Sequence, residues 1–172
     1  MGSDTSTLTS VEPDPTAGRR RLMRSITLGL FTLFVLFGLT GGLGVRTAHK
    51  TATGDEGLLV ELSYPRVTRP ALAVLFEVEV SRPSGFTGQI EVDISSSYLA
   101  TFDENGTSPE PVEDTDDGEV TTWMFDPPPG DTLVLSLDTR VEPGVQWRRK
   151  GEVTVRADGA EATVTFTTWI SP

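Results

Sequence analysis

Two patterns of apolar residues divide the chain. From Ile26 to Val45 the run ITLGLFTLFVLFGLTGGLGV holds twenty residues without a charge. Beyond residue 57, apolar and polar residues alternate in short runs. The first pattern has no polar face, so it does not read as an amphipathic helix laid on a core. A helix rises ~1.5 Å per residue, and twenty residues reach ~30 Å, the thickness of a bilayer's hydrocarbon core. The three hydroxyl residues Thr27, Thr32 and Thr40 are tolerated there because a threonine can bond back to a carbonyl of the preceding turn. The pattern predicts a membrane-spanning helix over Ile26–Val45. Gly38 and Gly42 stand in GxxxG spacing, which suits a helix-pairing face; the plainer reading is the glycine-rich exit of the span.

The second pattern has period two, the period of strands. Leu58, Val60, Leu62 and Tyr64 alternate with Leu59, Glu61 and Ser63 until Pro65. Leu72, Val74, Phe76, Val78 and Val80 form the clearest strand, followed by Ile90, Val92 and Ile94. A polar loop is expected over about 97–118. Strand-like residues return from Glu119 to Phe125 and stop at DPPPGD, since prolines cannot donate to a ladder. Leu133, Leu135 and Leu137, then Val153 and Val155, then Ala162 to Ile170 complete the set, with Asp158-Gly159 as a hairpin signal. Seven strands without helical periodicity predict an all-β fold. The expected form is a seven-stranded antiparallel sandwich of immunoglobulin or fibronectin III type, preceded by one transmembrane helix. The expected organisation is a disordered cytoplasmic tail over 1–18, a basic flank and helix over 19–45, a polar tether over 46–56 and an extracytoplasmic domain over 57–172.

Charge sets the orientation. Arg19, Arg20, Arg21 and Arg24 precede the apolar run and only Arg46 and Lys50 closely follow it, which puts the amino end in the cytoplasm. The rival reading is a cleaved export signal, because GRRRLMR loosely resembles a twin-arginine motif. Against it, the apolar run exceeds the usual ~7–15 residues, and Gly42-Leu43-Gly44 is a poor cleavage site. Residues 51–172 carry 22 acidic and 8 basic residues, −14, and residues 1–50 carry 3 and 6, +3, together −11. So acidic a domain argues against nucleic acid and against lying on anionic lipid. With no cysteine there is neither a disulfide nor a lipoprotein anchor, and the core must hold the domain.

Candidate chemistry is sparse. The single histidine, His49, falls in the expected tether, which denies the domain the usual nucleophile–base pairs. Asp114, Asp116 and Asp117 offer calcium-type oxygens, but their spacing misses the alternation of an EF-hand loop, and a solvated loop is the plainer reading. Asn105-Gly106-Thr107 has the form of a glycosylation acceptor. Trp147, Arg148, Arg149 and Lys150 form the basic cluster of the domain. Two readings stand: an aromatic–cation surface for lipid headgroups, or Trp147 as a plug of the core's end, which is preferred. Trp169 in a threonine-rich strand suits a partner interface or an ordinary exposed strand. No cofactor is expected.

The stretch MFDPPPGDTLVLSLDTRVEPGVQWRRKGEVTV, with FDENG and the closing FTTWISP, resembles a group of actinobacterial membrane-anchored proteins of unassigned activity. The resemblance runs from the arginine cluster to the carboxyl end. It implies recurring segments at Asp103 to Gly106, Pro127 to Asp131 and Pro143 to Trp147, and a membrane protein as partner. The expected function is an accessory or interaction module for another envelope or membrane protein. The alternatives are a sandwich that binds cell-wall glycan and a carboxylate-dependent enzyme.

Overall fold

The structure, a computed structural model, describes residues 17–39 and 44–171. The chain forms two units, Met1–Leu43 and Gly44–Pro172. In the first, helix α1 (Ala17–Leu39) is long and apolar enough to cross a membrane, and none of its apolar window is buried. Thr27 Oγ1 donates to the Met23 carbonyl at 3.0 Å, the expected back-bond. The helix is displaced from the expected span. It takes in the arginine cluster and ends, among the described residues, at Leu39; Gly44 and Val45 are not helical. The expected tail up to residue 16 lies outside the described residues.

The second unit is built of strands. They are β1 (Arg46–Thr53), β2 (Leu59–Thr68), β3 (Ala73–Ser81), β4 (Ile90–Ser95), β5 (Phe102–Ser108), β6 (Glu113–Asp116), β7 (Val120–Phe125), β8 (Thr132–Val141), β9 (Trp147–Ala157) and β10 (Ala160–Ile170), with a short helix α2 at Ser96–Leu99. Their order is β5-β8-β3-β2-β10-β9-β4-β7-β6, with β1 added to β2. Among the described residues, ten strands therefore stand where seven were expected. The additional ones fall in segments read as tether and loop. Arg46–Thr53 is not a tether: it pairs antiparallel with β2 along its whole length. Only Ala48 and Ala52 turn partly inward, so the strand is held by its backbone ladder rather than by apolar side chains. The expected loop over 97–118 contains α2, β5 and β6.

β2 is the element that curls the sheet. Its first half pairs with β3 from Leu59 to Ser63. Past Pro65, which has no N–H to give a ladder, Val67 and Thr68 run parallel to Trp169 and Ile170 of β10. Burial follows the crossing: alternation gives way to four consecutive buried residues, Leu62 to Pro65. The curl brings inward-facing residues of both halves into one core. At its centre the Phe166 ring meets Tyr98 edge-on at 4.7 Å, Tyr64 at 4.9 Å and Phe76 at 5.8 Å. Burial pushes the Tyr98 phenol well above its ordinary pKa. Its hydroxyl pairs with Thr168 Oγ1 at 2.9 Å, and Thr168 donates to the Pro65 carbonyl at 2.6 Å. That chain of bonds ties α2 and β10 to the crossing point of β2.

The β9–β10 hairpin turns at Asp158-Gly159 as expected, with φ of 48° and 84° between paired Ala157 and Ala160. Both residues are left-handed, as a type I′ hairpin turn requires.

Candidate functional site

One end of the domain gathers aromatic and cationic side chains. Register aligns them across four strands: Arg46 of β1 faces Val67 of β2, Val67 faces Trp169 of β10, and Trp169 faces Arg148 of β9. Trp147, the first residue of β9, packs edge-on against Trp169 with ring centroids 6.2 Å apart. Trp147 is not a core plug: it is 60% exposed, and Trp169 is 46% exposed. The backbone of Trp147 sits at φ 75°, a region rarely taken by bulky residues. The core's closing tryptophan is instead Trp123, 3% exposed.

Charge is sorted along the strands. Ten basic residues follow the helix: Arg46, Lys50, Arg66, Arg69, Arg82, Arg140, Arg148, Arg149, Lys150 and Arg156. Arg66 and Arg69 flank the paired end of β2, and Arg140 pairs with Ala73 beside it. They join Arg46, Arg148 and Arg149 at the tryptophan end, and all six are exposed. Lys50 and Lys150, with Arg148, border a groove of about 530 Å³. Lys50 Nζ crosses to the Thr165 carbonyl at 2.7 Å. Among the described residues, no carboxylate makes an ion pair with Arg148, Arg149 or Lys150.

The two remaining arginines serve carboxylates toward the opposite end. Arg156 bonds Glu91, Asp93 and Glu161. Arg82, 8% exposed, bonds Glu56 and, at 2.6 Å, Asp158. Asp158 also accepts bonds from the Thr87 hydroxyl, the Thr87 N–H at 3.0 Å and the Gly88 N–H at 2.9 Å. Those bonds, the Thr87 hydroxyl foremost, hold its carboxyl below the usual carboxylate range, with Arg82 adding to the effect. A depressed pKa stabilises the fold above the unfolded value, ~3.9, and that stability is lost as pH falls through the lower folded value. Asp158→Asn keeps a residue tolerant of the turn. Urea midpoints should show the wild type ahead of this variant above about pH 4, with the gap closing as pH falls below it. A gap that is constant with pH would remove Asp158 from the acid limb.

The other sequence-derived candidates are accounted for as follows. Asp116 and Asp117 cap the turn between β6 and β7: Asp116 Oδ1 accepts from Ser96 Oγ and Gly118 N, and Asp117 Oδ1 from Glu119 N and Val120 N, all at 2.7–2.8 Å. Asp114 lies on exposed strand β6. Among the described residues, no cluster of three potential ligands could hold a metal ion. Gly38 lies in α1, and Gly42 lies outside the described residues. Asn105-Gly106-Thr107 falls within β5.

His49 departs from its expected isolation. As part of β1 it faces Ser63 of β2, with Nδ1 2.8 Å from Ser63 Oγ. Glu61 Oε1 stands 3.9 Å from the same Nδ1. In a serine–histidine relay the acid holds the nitrogen remote from the serine. Here serine and carboxylate share one nitrogen, so the imidazole is not braced as a general base for Ser63. Compared with known proteins, the sequence matches no protein-family model and no curated protein.

Proposed function

We propose that this chain is a single-pass plasma-membrane protein, amino end in the cytoplasm, whose extracytoplasmic domain is a non-enzymatic accessory module for another envelope or membrane protein. The exposed apolar helix and the four arginines at its start support the anchor and its orientation. We read the curled sheet as an immunoglobulin-like sandwich, with β1, β2, β3, β8 and β5 in one layer and β10, β9, β4, β7 and β6 in the other.

The observation that carries a protein partner is the β5 edge. β5 ends one side of the strand order. Beside it lies a shallow depression of about 580 Å³, lined by Ala73, Leu75, Gly106, Thr107, Ser136 and Asp138 among others. Leu75 is 46% exposed there. An edge with free backbone groups over an apolar bed suits a partner segment added as a further strand. The opposite edge, β6, is acidic along its length, Glu113-Asp114-Thr115-Asp116, a sequence that discourages such pairing.

A photoreactive amino acid at Leu75 tests this in native membranes. It should yield a discrete adduct with an integral membrane protein, whereas the same group at Glu113 should not. Equal labelling from both positions, or none from Leu75, would sink the reading.

A further inference from the structure

We infer that the tryptophan end of the domain is a foot that docks on an anionic lipid surface. The inference rests on the membrane-anchored reading above, and it assigns this end to lipid rather than to the protein partner. Three observations carry it.

The first is charge sorting. The domain is strongly acidic as a whole, yet eight of the ten basic residues beyond the helix belong to this end and its adjoining groove, while Arg82 and Arg156 lie toward the opposite end among the carboxylates they bond. A net charge counted over the domain therefore misstates the field at this end. Anionic headgroups meet Arg46, Arg66, Arg69, Arg148 and Arg149, with Arg140 set across the ladder from Asp103, while the carboxylate-rich remainder is repelled. Attraction and repulsion together set one orientation.

The second is the exposed aromatic pair. Trp147 and Trp169 stand edge to face beside Arg148. A tryptophan ring with a polar N–H settles at the level of lipid headgroups, where one side is wet and the other apolar. Arginine beside it supplies the phosphate contact that a planar guanidinium makes well. The groove under Lys50, Arg148 and Lys150 adds hydroxyls from Ser95, Thr165 and Thr167 and one carboxylate, Glu152, so three cations face a single acid there.

The third is connection. The chain enters the domain at Arg46, the first residue of β1, and only residues 40–45 separate Arg46 from the end of α1. The leashed end is thus also the cationic, aromatic end.

The full-length chain in vesicles tests the inference. Phosphatidylcholine vesicles with and without phosphatidylglycerol are prepared with brominated acyl chains, which quench nearby tryptophan. With the anionic lipid, quenching should be strong, and it should fall in Trp147→Phe/Trp169→Phe, which retains only buried Trp123. Arg148→Glu and Arg149→Glu should each shift the docked fraction by about fivefold or more, as expected for losing a cation near an anionic surface. About 1 M salt should release the foot by screening. Since both arginines are exposed, an unchanged urea midpoint checks that the variants fold.

Other outcomes overturn the proposal. If Trp147 and Trp169 stay open to aqueous iodide in anionic vesicles while the chain resists carbonate extraction, the foot is refuted and the anchor stands. If they are open in vesicles but shielded in native membranes, the end belongs to a protein and the lipid assignment fails. If carbonate strips the chain from vesicles, the anchored reading itself fails.

Discussion

Replacing Phe166 with alanine should cost the domain about 3–5 kcal/mol, the usual loss for a buried aromatic. Phe166 is 3% exposed, and its ring touches Tyr64 of β2, Phe76 of β3 and Tyr98 of α2. Those partners come from both sides of the curl, so the cavity would open where the two halves meet. Rings on three elements cannot close it together without moving the strands that carry them. A domain's whole stability is about 5–15 kcal/mol, so the loss is a large fraction of it. Urea titration of the full chain in micelles, followed by its strand signal, should show a much lower midpoint. A loss under about 1 kcal/mol would mean that the site collapses freely, and that Phe166 is not the junction of the two halves.

The second large effect comes from adding a single carbon. Gly151 of β9 is buried, and a Cβ there would lie 2.5 Å from Phe166 Cζ and 2.9 Å from Tyr98 Cγ. Neither ring has room to yield, because they pack edge-on against each other at 4.7 Å. Gly151→Ala should therefore destabilise by about 2–3 kcal/mol, the upper range for overpacking. The cause can be separated from a backbone effect. Phe166→Leu withdraws the ring edge that the new methyl meets, so the double variant should lose less than the two single losses added together. Strict additivity would assign the loss to the strand backbone instead.

The long inward strands were legible because their apolar residues recur at every second position. Val74 to Val80 and Leu133 to Leu137 lie in strands with alternate burial. β1, β5 and β6 were not legible, for physical reasons that differ. β1 turns only two alanines inward, and β6 turns nothing inward, since all four of its residues are exposed. In both, backbone pairing replaces the side-chain signal that a pattern can detect. β5 reads as a loop because Asp103-Glu104-Asn105-Gly106 is turn-like in composition, and its ladder shifts register at Gly106.

The cationic end was half legible. Trp147 to Lys150 stands out as a cluster in the chain, but its meeting with Trp169, Arg46, Arg66 and Arg69 depends on register among strands far apart in sequence. Reading Trp147 as a plug followed the ordinary preference of tryptophan for burial. Its backbone at φ 75° and its partner Trp169 explain why the ring stands outside. Net charge erred in a similar way: a sum over residues contains no information on where they lie.

That Arg46–Thr53 is a strand rather than a tether decides where this domain can be shed from its anchor. A protease cutting within residues 40–45 would release the sheet whole. A cut near Gly54, at the far end of β1, would leave β1 behind with the helix and strip β2 of its outer neighbour, baring a row of unpaired amides beside Leu59 and Val60. The released fragment would be sticky, open to pairing with the same edge of another copy.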